Sequence, residues 1–277
     1  MYLYHTITFY EDRSEFIMCE TIKRVLTHGG RIPHFQQDFP LILFWSHRSG
    51  CTSFANWFFY QIGLYAEAIK YDPFIHYYEF QVYKNKTSYY EELEREVLQL
   101  KKDTFKLVRN PFKRAVSSFL LLYDNPYAEK QWKNIKQYFY NDQNSNKGIS
   151  FKQFLYYVKA HDPKSNSLDP HFSQQYIQGE EKMIKNHIKL ENFNETISKI
   201  EQEYDLLQSD LSLLTQSPHH RAHQMTFKGN YADVDITDPS LPKLPAYKSF
   251  YDKETVDLVV EIFQDDFLMY QYSKDSL

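Results

Sequence analysis

The densest anion-binding chemistry in the chain lies in one short polar stretch, Ser46-His47-Arg48-Ser49-Gly50-Cys51-Thr52-Ser53. It combines one guanidinium, one Gly and a set of hydroxyls. Before it runs an unbroken apolar segment, Pro40-Leu41-Ile42-Leu43-Phe44-Trp45, which suits a buried parallel strand. After it, apolar residues at 54, 57, 58, 62 and 64 suit a buried helix. A strand, a tight polar loop and a helix start make an anion-binding device. The first N–H groups of a helix have no internal partner, and the macrodipole adds partial positive charge there. The hydroxyls of Ser49, Thr52 and Ser53 and the guanidinium of Arg48 would complete a phosphate cradle. The loop is not a Walker A motif, because no Gly stands five residues before Gly50 and Cys51 follows where that motif needs Lys. A Mg²⁺-dependent triphosphatase is therefore not the first reading. An ordinary strand-loop-helix connection with a capping Ser or Thr has the same outline.

A second stretch runs Thr104-Phe105-Lys106-Leu107-Val108-Arg109-Asn110-Pro111, then continues to Ser117 and Leu120. A short strand ends at Arg109, and Pro111 opens a helix at a position that tolerates its missing N–H. Arg109 thus stands at the C-terminal edge of a strand, where open α/β sheets bind ligands. Ser117 follows just over two helical turns later. Arg109 and Ser117 reach one anion if the helix runs back beside the strand end.

Among titratable groups, His76 lies in the aromatic run Asp72-Pro73-Phe74-Ile75-His76-Tyr77-Tyr78, and His171 follows two Asp-Pro turns. Each also reads as a half-buried structural histidine. His219-His220-Arg221-Ala222-His223 has the look of a metal cluster, but no helix pattern and no paired carboxylate stand near it. No metal site is expected.

The elements that must position these residues repeat. A strand-then-helix pattern occurs over 40–64, 104–122 and 186–206. It predicts an α/β, three-layer fold with a central parallel sheet and a helix-rich periphery. Further helices are expected over 88–100, with Ser88 as N-cap and Glu91 at the capping-box position, over 127–140, after Ser150, and as one amphipathic helix over 252–270. Residues 66–83 read as irregular, 1–39 as a leader packed on the edge of the fold, and 215–248 as a long loop or lid. All belong to a single domain over 1–277.

Composition narrows the class. The formal net charge is −4 and no long Lys/Arg run is present, which argues against general nucleic-acid binding. Seven Gly against 24 Tyr and 22 Phe suit a helix-rich chain with a polar-tipped aromatic interior. Cys19 and Cys51 give neither a disulfide framework nor a CxxC pattern. No membrane span or signal peptide is legible. The expectation is a cytoplasmic protein.

Taken together, Arg48-Ser-Gly-Cys-Thr-Ser and Arg109-Asn-Pro-x-x-Arg-x-x-Ser resemble the two cofactor signatures of sulfotransferases that use 3′-phosphoadenosine 5′-phosphosulfate. The resemblance is closest to the carbohydrate sulfotransferase branch. Val116-Ser117-Ser118-Phe119, Asp169-Pro170-His171-Phe172, Ile188-Lys189-Leu190-Glu191-Asn192-Phe193 and Asp265-Asp266-Phe267-Leu268-Met269-Tyr270-Gln271-Tyr272 are similar to further motifs of that branch, in the expected order. The resemblance implies a P-loop-NTPase-like fold and a metal-independent transfer to a hydroxyl of a glycan or smaller molecule. It implies that Arg48, Ser49, Gly50, Cys51, Thr52 and Ser53 hold the 5′-phosphosulfate, and that Arg109 and Ser117 bind the 3′-phosphate, with Arg114 as a further candidate. Arg48 occupies the place of the family's usual catalytic Lys, keeping the charge but spreading it over a rigid fork. His76 takes the place where related enzymes put a general base, with His171 as runner-up and Glu79 as a substrate contact. That branch works behind a membrane anchor, and none is legible in this sequence, so a bacterial cytoplasmic enzyme is the expectation. The alternatives are a P-loop-type kinase and a non-catalytic nucleotide-binding protein of the same fold.

Overall fold

The computed structural model describes residues 19–123, 125, 128–215, 225–239, 241–242 and 245–277. His219, His220 and His223 lie outside the described residues, as does part of the 215–248 loop.

Three parallel strands form the sheet, in the order β1 (Leu41–Phe44), β2 (Asp103–Val108), β3 (Asn186–Lys189). Each feeds a helix: α1 (Cys51–Gln61), α5 (Pro111–Phe119) and α8 (Phe193–Glu203). The expected strand-then-helix repetition is present at all three places. Parallel strands need such crossovers, and their apolar runs are buried because helices cover them. All four residues of β1 are buried. In β2 the side chains alternate. Phe105 and Leu107 join the core cluster that includes Phe54, Phe58 and Ile197, whereas Lys106 faces the other way onto Glu180 and Tyr270.

Between α1 and β2 lie α2 (Tyr65–Tyr71), α3 (Ile75–Tyr78) and α4 (Tyr89–Gln99). The segment expected to be irregular is therefore mostly helical. Asp72-Pro73 divides it into pieces too short to show a helical period, and the Asp72 carboxylate accepts the Phe74 N–H at 2.7 Å to restart the chain. Residues 79–83 form a π-turn, closed by the Lys84 N–H on the Glu79 carbonyl at 2.8 Å. Ser88 precedes α4 but has helical φ/ψ and makes no side-chain cap, so the expected capping box is absent.

A second core cluster gathers α5 with α6 (Glu129–Tyr140), α7 (Phe151–Ala160), α9 (Lys253–Ile262) and α10 (Gln264–Met269). Ser150 caps α7 as expected, in a capping box with Gln153. The helix expected over 252–270 is two helices broken at Phe263, whose burial at 2% exposure fixes the break against the core. The indole N–H of Trp132 donates to the Leu122 carbonyl at 3.1 Å, which commits that ring to structure.

Residues 19–39 do more than pack on an edge. Ile22, Val25, Leu26, Phe35 and Phe39 are core residues, and His34 pairs antiparallel with Leu43. Arg31, buried at 1% exposure, donates to the carbonyls of Pro170, Gln174 and Gln175. Among the described residues, no helix is long and apolar enough to cross a membrane.

Candidate active site

The polar loop after β1 is shaped by two left-handed residues, Arg48 at φ 65° and Gly50 at φ 89°. Gly50 is the N-cap of α1 and offers no side chain to cap it. The first helical bond runs from the Phe54 N–H to the Gly50 carbonyl, 3.1 Å. The N–H groups of Cys51, Thr52 and Ser53 thus remain without helical acceptors at the positive end of the dipole. This arrangement can hold an anion.

The hydroxyls sort differently from expectation. Ser49 is fully buried, with its Oγ 2.7 Å from Gln175 Oε1 and 2.9 Å from Ser46 Oγ. It points into the protein, so the loop meets a ligand with its backbone there and not with the Ser49 hydroxyl. Ser53 is also buried, at 5% exposure. Thr52 and Cys51 remain half-exposed at the helix start.

The two expected cofactor stretches meet. Arg48 Nε donates to Ser117 Oγ on α5 at 3.2 Å, and Arg109 Nη1 donates to the Arg48 carbonyl at 3.0 Å. The Asn110 side chain accepts the Lys113 N–H and turns α5 back along the strand end. Neither Arg48 nor Arg109 is ion-paired with a carboxylate among the described residues. Burial, and then the neighbouring Arg109, depress the Arg48 guanidinium to about 10. Burial likewise lowers Arg109, against the attraction of Glu191. In both, loss of water around the guanidinium outweighs the neighbours that would stabilise its charge. Arg114 stands behind this corner. Its Nε donates to the His47 carbonyl at 2.9 Å, and the residue is 1% exposed. It braces the loop from inside, and its buried Nη2 has no hydrogen-bond partner.

His76, on α3, is brought to the start of α1. Its Nε2 lies 3.3 Å from Thr52 Oγ1, and its Nδ1 lies 2.5 Å from Glu79 Oε2. The carboxylate orients the ring and leaves Nε2 toward the loop. Glu79 was expected as a substrate contact, yet it is fully buried, with Lys84 Nζ at 2.5 Å on its other oxygen. It therefore acts on the imidazole from within. His34 Nδ1 stands 3.5 Å from the same carboxylate, and burial keeps that ring neutral. Burial also opposes charge on His76, but Cys51 and then Glu79 overcome it and raise the imidazole to about 10.

His171 reaches the loop from the other side. Asp169 accepts its Nδ1 at 2.8 Å, and the imidazole is 33% exposed. Its ring packs edge-on against His47 at 4.4 Å between centroids. Trp45 spans the gap, 5.1 Å from His47 and 6.2 Å from His76. Two imidazole–carboxylate pairs thus flank one anion loop. Both carboxylates were legible as near neighbours of their histidines in sequence. Their partnership was not, because it depends on the turn each segment takes.

A family model described as a sulfotransferase family matches residues 18–273 of this chain. The chain belongs to the sulfotransferase family. No curated protein and no solved structure matches it. As a sulfotransferase the chain is an enzyme that transfers sulfuryl groups, and the α/β fold with its parallel sheet agrees with that membership. The carbohydrate branch is consistent with the family. Within the sulfotransferase, Gln175 is the residue of the loop region that sequence reasoning missed. Nothing in its neighbourhood, Phe172-Ser173-Gln174-Gln175, marks it out.

Proposed function

We propose that this sulfotransferase transfers a sulfuryl group from 3′-phosphoadenosine 5′-phosphosulfate to a hydroxyl of a glycan or a smaller alcohol, without a metal ion. The observation that carries this reading is the meeting of two anion-binding places. The free N–H groups at the start of α1 and the unpaired Arg48–Arg109 corner beside Ser117 stand on one sheet edge. A donor with anionic groups at both its 5′ and 3′ positions fits such a pair. Arg48 and Arg109, half-buried and without a carboxylate ion pair among the described residues, fit that donor better than they fit an empty structural role.

The donor supplies a sulfuryl group on a phosphate leaving group. The loop backbone from Ser49 to Ser53 and the Thr52 hydroxyl bind the 5′ end. Arg109 and Ser117 bind the 3′-phosphate. Arg48 lies between them and neutralises charge, although its contact with Ser117 draws it toward the 3′ side. Such transfers depend mainly on positioning and electrostatics. His76 Nε2 takes the proton of the acceptor hydroxyl, with Glu79 holding the ring. A general base of this kind contributes ~10²–10⁴ in rate. A second reading gives the base role to His171 with Asp169. The approach of His76 Nε2 to Thr52 Oγ1 at the start of α1, 3.3 Å, favours His76. We place the enzyme in a reducing, cytoplasmic compartment, in keeping with the free thiols of Cys19 and Cys51.

The test is thermal stabilisation by adenosine 3′,5′-bisphosphate against ATP–Mg²⁺, followed by a transfer assay on an acceptor library. The expected result is stabilisation by the bisphosphate and sulfate transfer. A preference for ATP–Mg²⁺ would favour the kinase alternative. Bisphosphate binding without transfer to any acceptor would favour the non-catalytic one.

A further inference from the structure

Gln175 is fully buried, yet its side chain touches both anion-binding stretches. Its Oε1 lies 2.7 Å from Ser49 Oγ, 3.2 Å from Ser46 Oγ and 2.8 Å from the Arg109 backbone N. Its Nε2 donates to the Arg109 carbonyl at 2.8 Å. One planar amide therefore brackets both backbone groups of Arg109, as a neighbouring strand would. The β2–β3 register ends one residue earlier, at Val108. Arg109 would otherwise leave an N–H and a C=O unpaired at the strand end. The amide orientation is fixed by this pattern, since the Arg109 N–H can only donate and its carbonyl can only accept.

Gln175 is itself held rigidly. Asp266, with no exposed surface, accepts the Gln175 backbone N–H at 2.9 Å and its Nε2 at 3.3 Å. The Gln175 carbonyl accepts from Lys106 Nζ at 2.7 Å and from Arg31 Nη1 at 3.2 Å. The amide is thus anchored to strand, N-terminal segment and C-terminal helix at once. No other side chain among the described residues bonds to both Ser49 and Arg109.

We propose that Gln175 is a positioning residue that fixes the spacing of the two anion loops, so that the two ends of a bis-anionic nucleotide bind cooperatively. The proposal rests on the donor reading above. With Gln175 in place, an anion held at one loop finds the other already aligned, and the second anion incurs little ordering cost. Without it, each loop still binds its own anion, but the distance between them is no longer set. A carboxylate cannot replace the amide. It would keep the acceptor toward Ser49 and the Arg109 N–H, but would set an oxygen against the Arg109 carbonyl and against Asp266.

The experiment compares binding of adenosine 3′,5′-bisphosphate, adenosine 5′-phosphate and adenosine 3′-phosphate to the full chain by calorimetry. Wild type is compared with Gln175→Ala, Gln175→Glu and Ser46→Ala/Ser49→Ala. The last variant cuts the tie at the loop hydroxyls and leaves the buried amide in place, so it serves if the Gln175 variants do not fold. In wild type the bisphosphate should bind much more tightly than either monophosphate. In the variants that advantage should fall by about tenfold, the worth of a net hydrogen bond or two, while each monophosphate changes little. An equal loss for all three ligands would show a purely structural role and overturn the proposal. An unchanged advantage would overturn it as well. If wild type itself shows no preference for the bisphosphate, the donor reading fails and this proposal falls with it.

Discussion

Arg48 Nε donates to Ser117 Oγ at 3.2 Å, joining the loop after β1 to the helix after β2 across 69 residues of sequence. The contact closes the corner where Arg109 also reaches the Arg48 carbonyl. Replacing Arg109 by Ala should weaken adenosine 3′,5′-bisphosphate binding by about 1.5–3 kcal/mol, the range for a hydrogen bond to a charged group. Adenosine 5′-phosphate should lose much less. Calorimetry on both ligands checks this, and equal losses would remove Arg109 from the 3′-phosphate.

The His76 imidazole predicts an alkaline profile. Burial works against its charge, yet Cys51 and Glu79 raise it to about 10, so the resting ring is protonated at neutral pH. To act as a base it must lose that proton. The kcat/KM of the free enzyme should therefore climb roughly tenfold per pH unit toward that value. Cys51→Ala should move the limb down toward the ordinary imidazole value. A limb that stays in place in both Cys51→Ala and Glu79→Gln would pass the base role to His171. The sign for stability is opposite to that of a carboxylate. A raised imidazole contributes fully below its ordinary 6.5, and the contribution is lost as pH rises toward 10.

Glu79 holds a buried cluster of His76, Lys84 and His34 together. Lys84 first, then its histidine neighbours, keep this carboxyl well below the usual carboxylate range against the pull of burial. Glu79→Gln leaves Lys84 buried without its counter-charge, and should cost about 3–5 kcal/mol in urea unfolding. The double change Glu79→Gln/Lys84→Met should cost less than the single one. The carboxylate's own contribution is complete above its ordinary pKa and fades as pH falls below it. A single variant as stable as wild type would contradict the coupling.

Gly50 is needed twice over. Its φ is +89°, and a Cβ there would stand 2.5 Å from Leu190 Cδ1. Gly50→Ala should lower stability by about 1–2 kcal/mol through the left-handed backbone alone, and should weaken bisphosphate binding by tilting the free N–H groups of α1. Adding Leu190→Ala relieves only the contact. Full recovery in that double variant, read by melting temperature and calorimetry, would show that backbone strain plays no part.

The elements were legible because their causes are local. The apolar run Leu41–Phe44, Pro111 at a helix start and Ser150 before Phe151 each act within a few residues. The anion loop was legible for the same reason, since a Gly beside Arg and hydroxyls is a short-range pattern. Breaks were less legible. The helices over 65–78 are too short to show a period, and the division of the last helix at Phe263 depends on what that ring packs against.

The sequence by itself determined which residues gather at the strand ends: Arg48, Arg109, Ser117 and the start of α1. It also determined that a parallel sheet would bring strand ends together, because three apolar strands each followed by a helix have few other ways to bury their faces. Only the tertiary structure decided how the side chains share the work. Ser49 turned inward, Arg114 took the back of the loop, Glu79 went beneath His76, and Gln175 tied the two loops. The physical reason is that hydrogen-bond partners in a buried site are assigned by which groups are left without water. That assignment depends on segments far apart in the chain and leaves no pattern in any one of them.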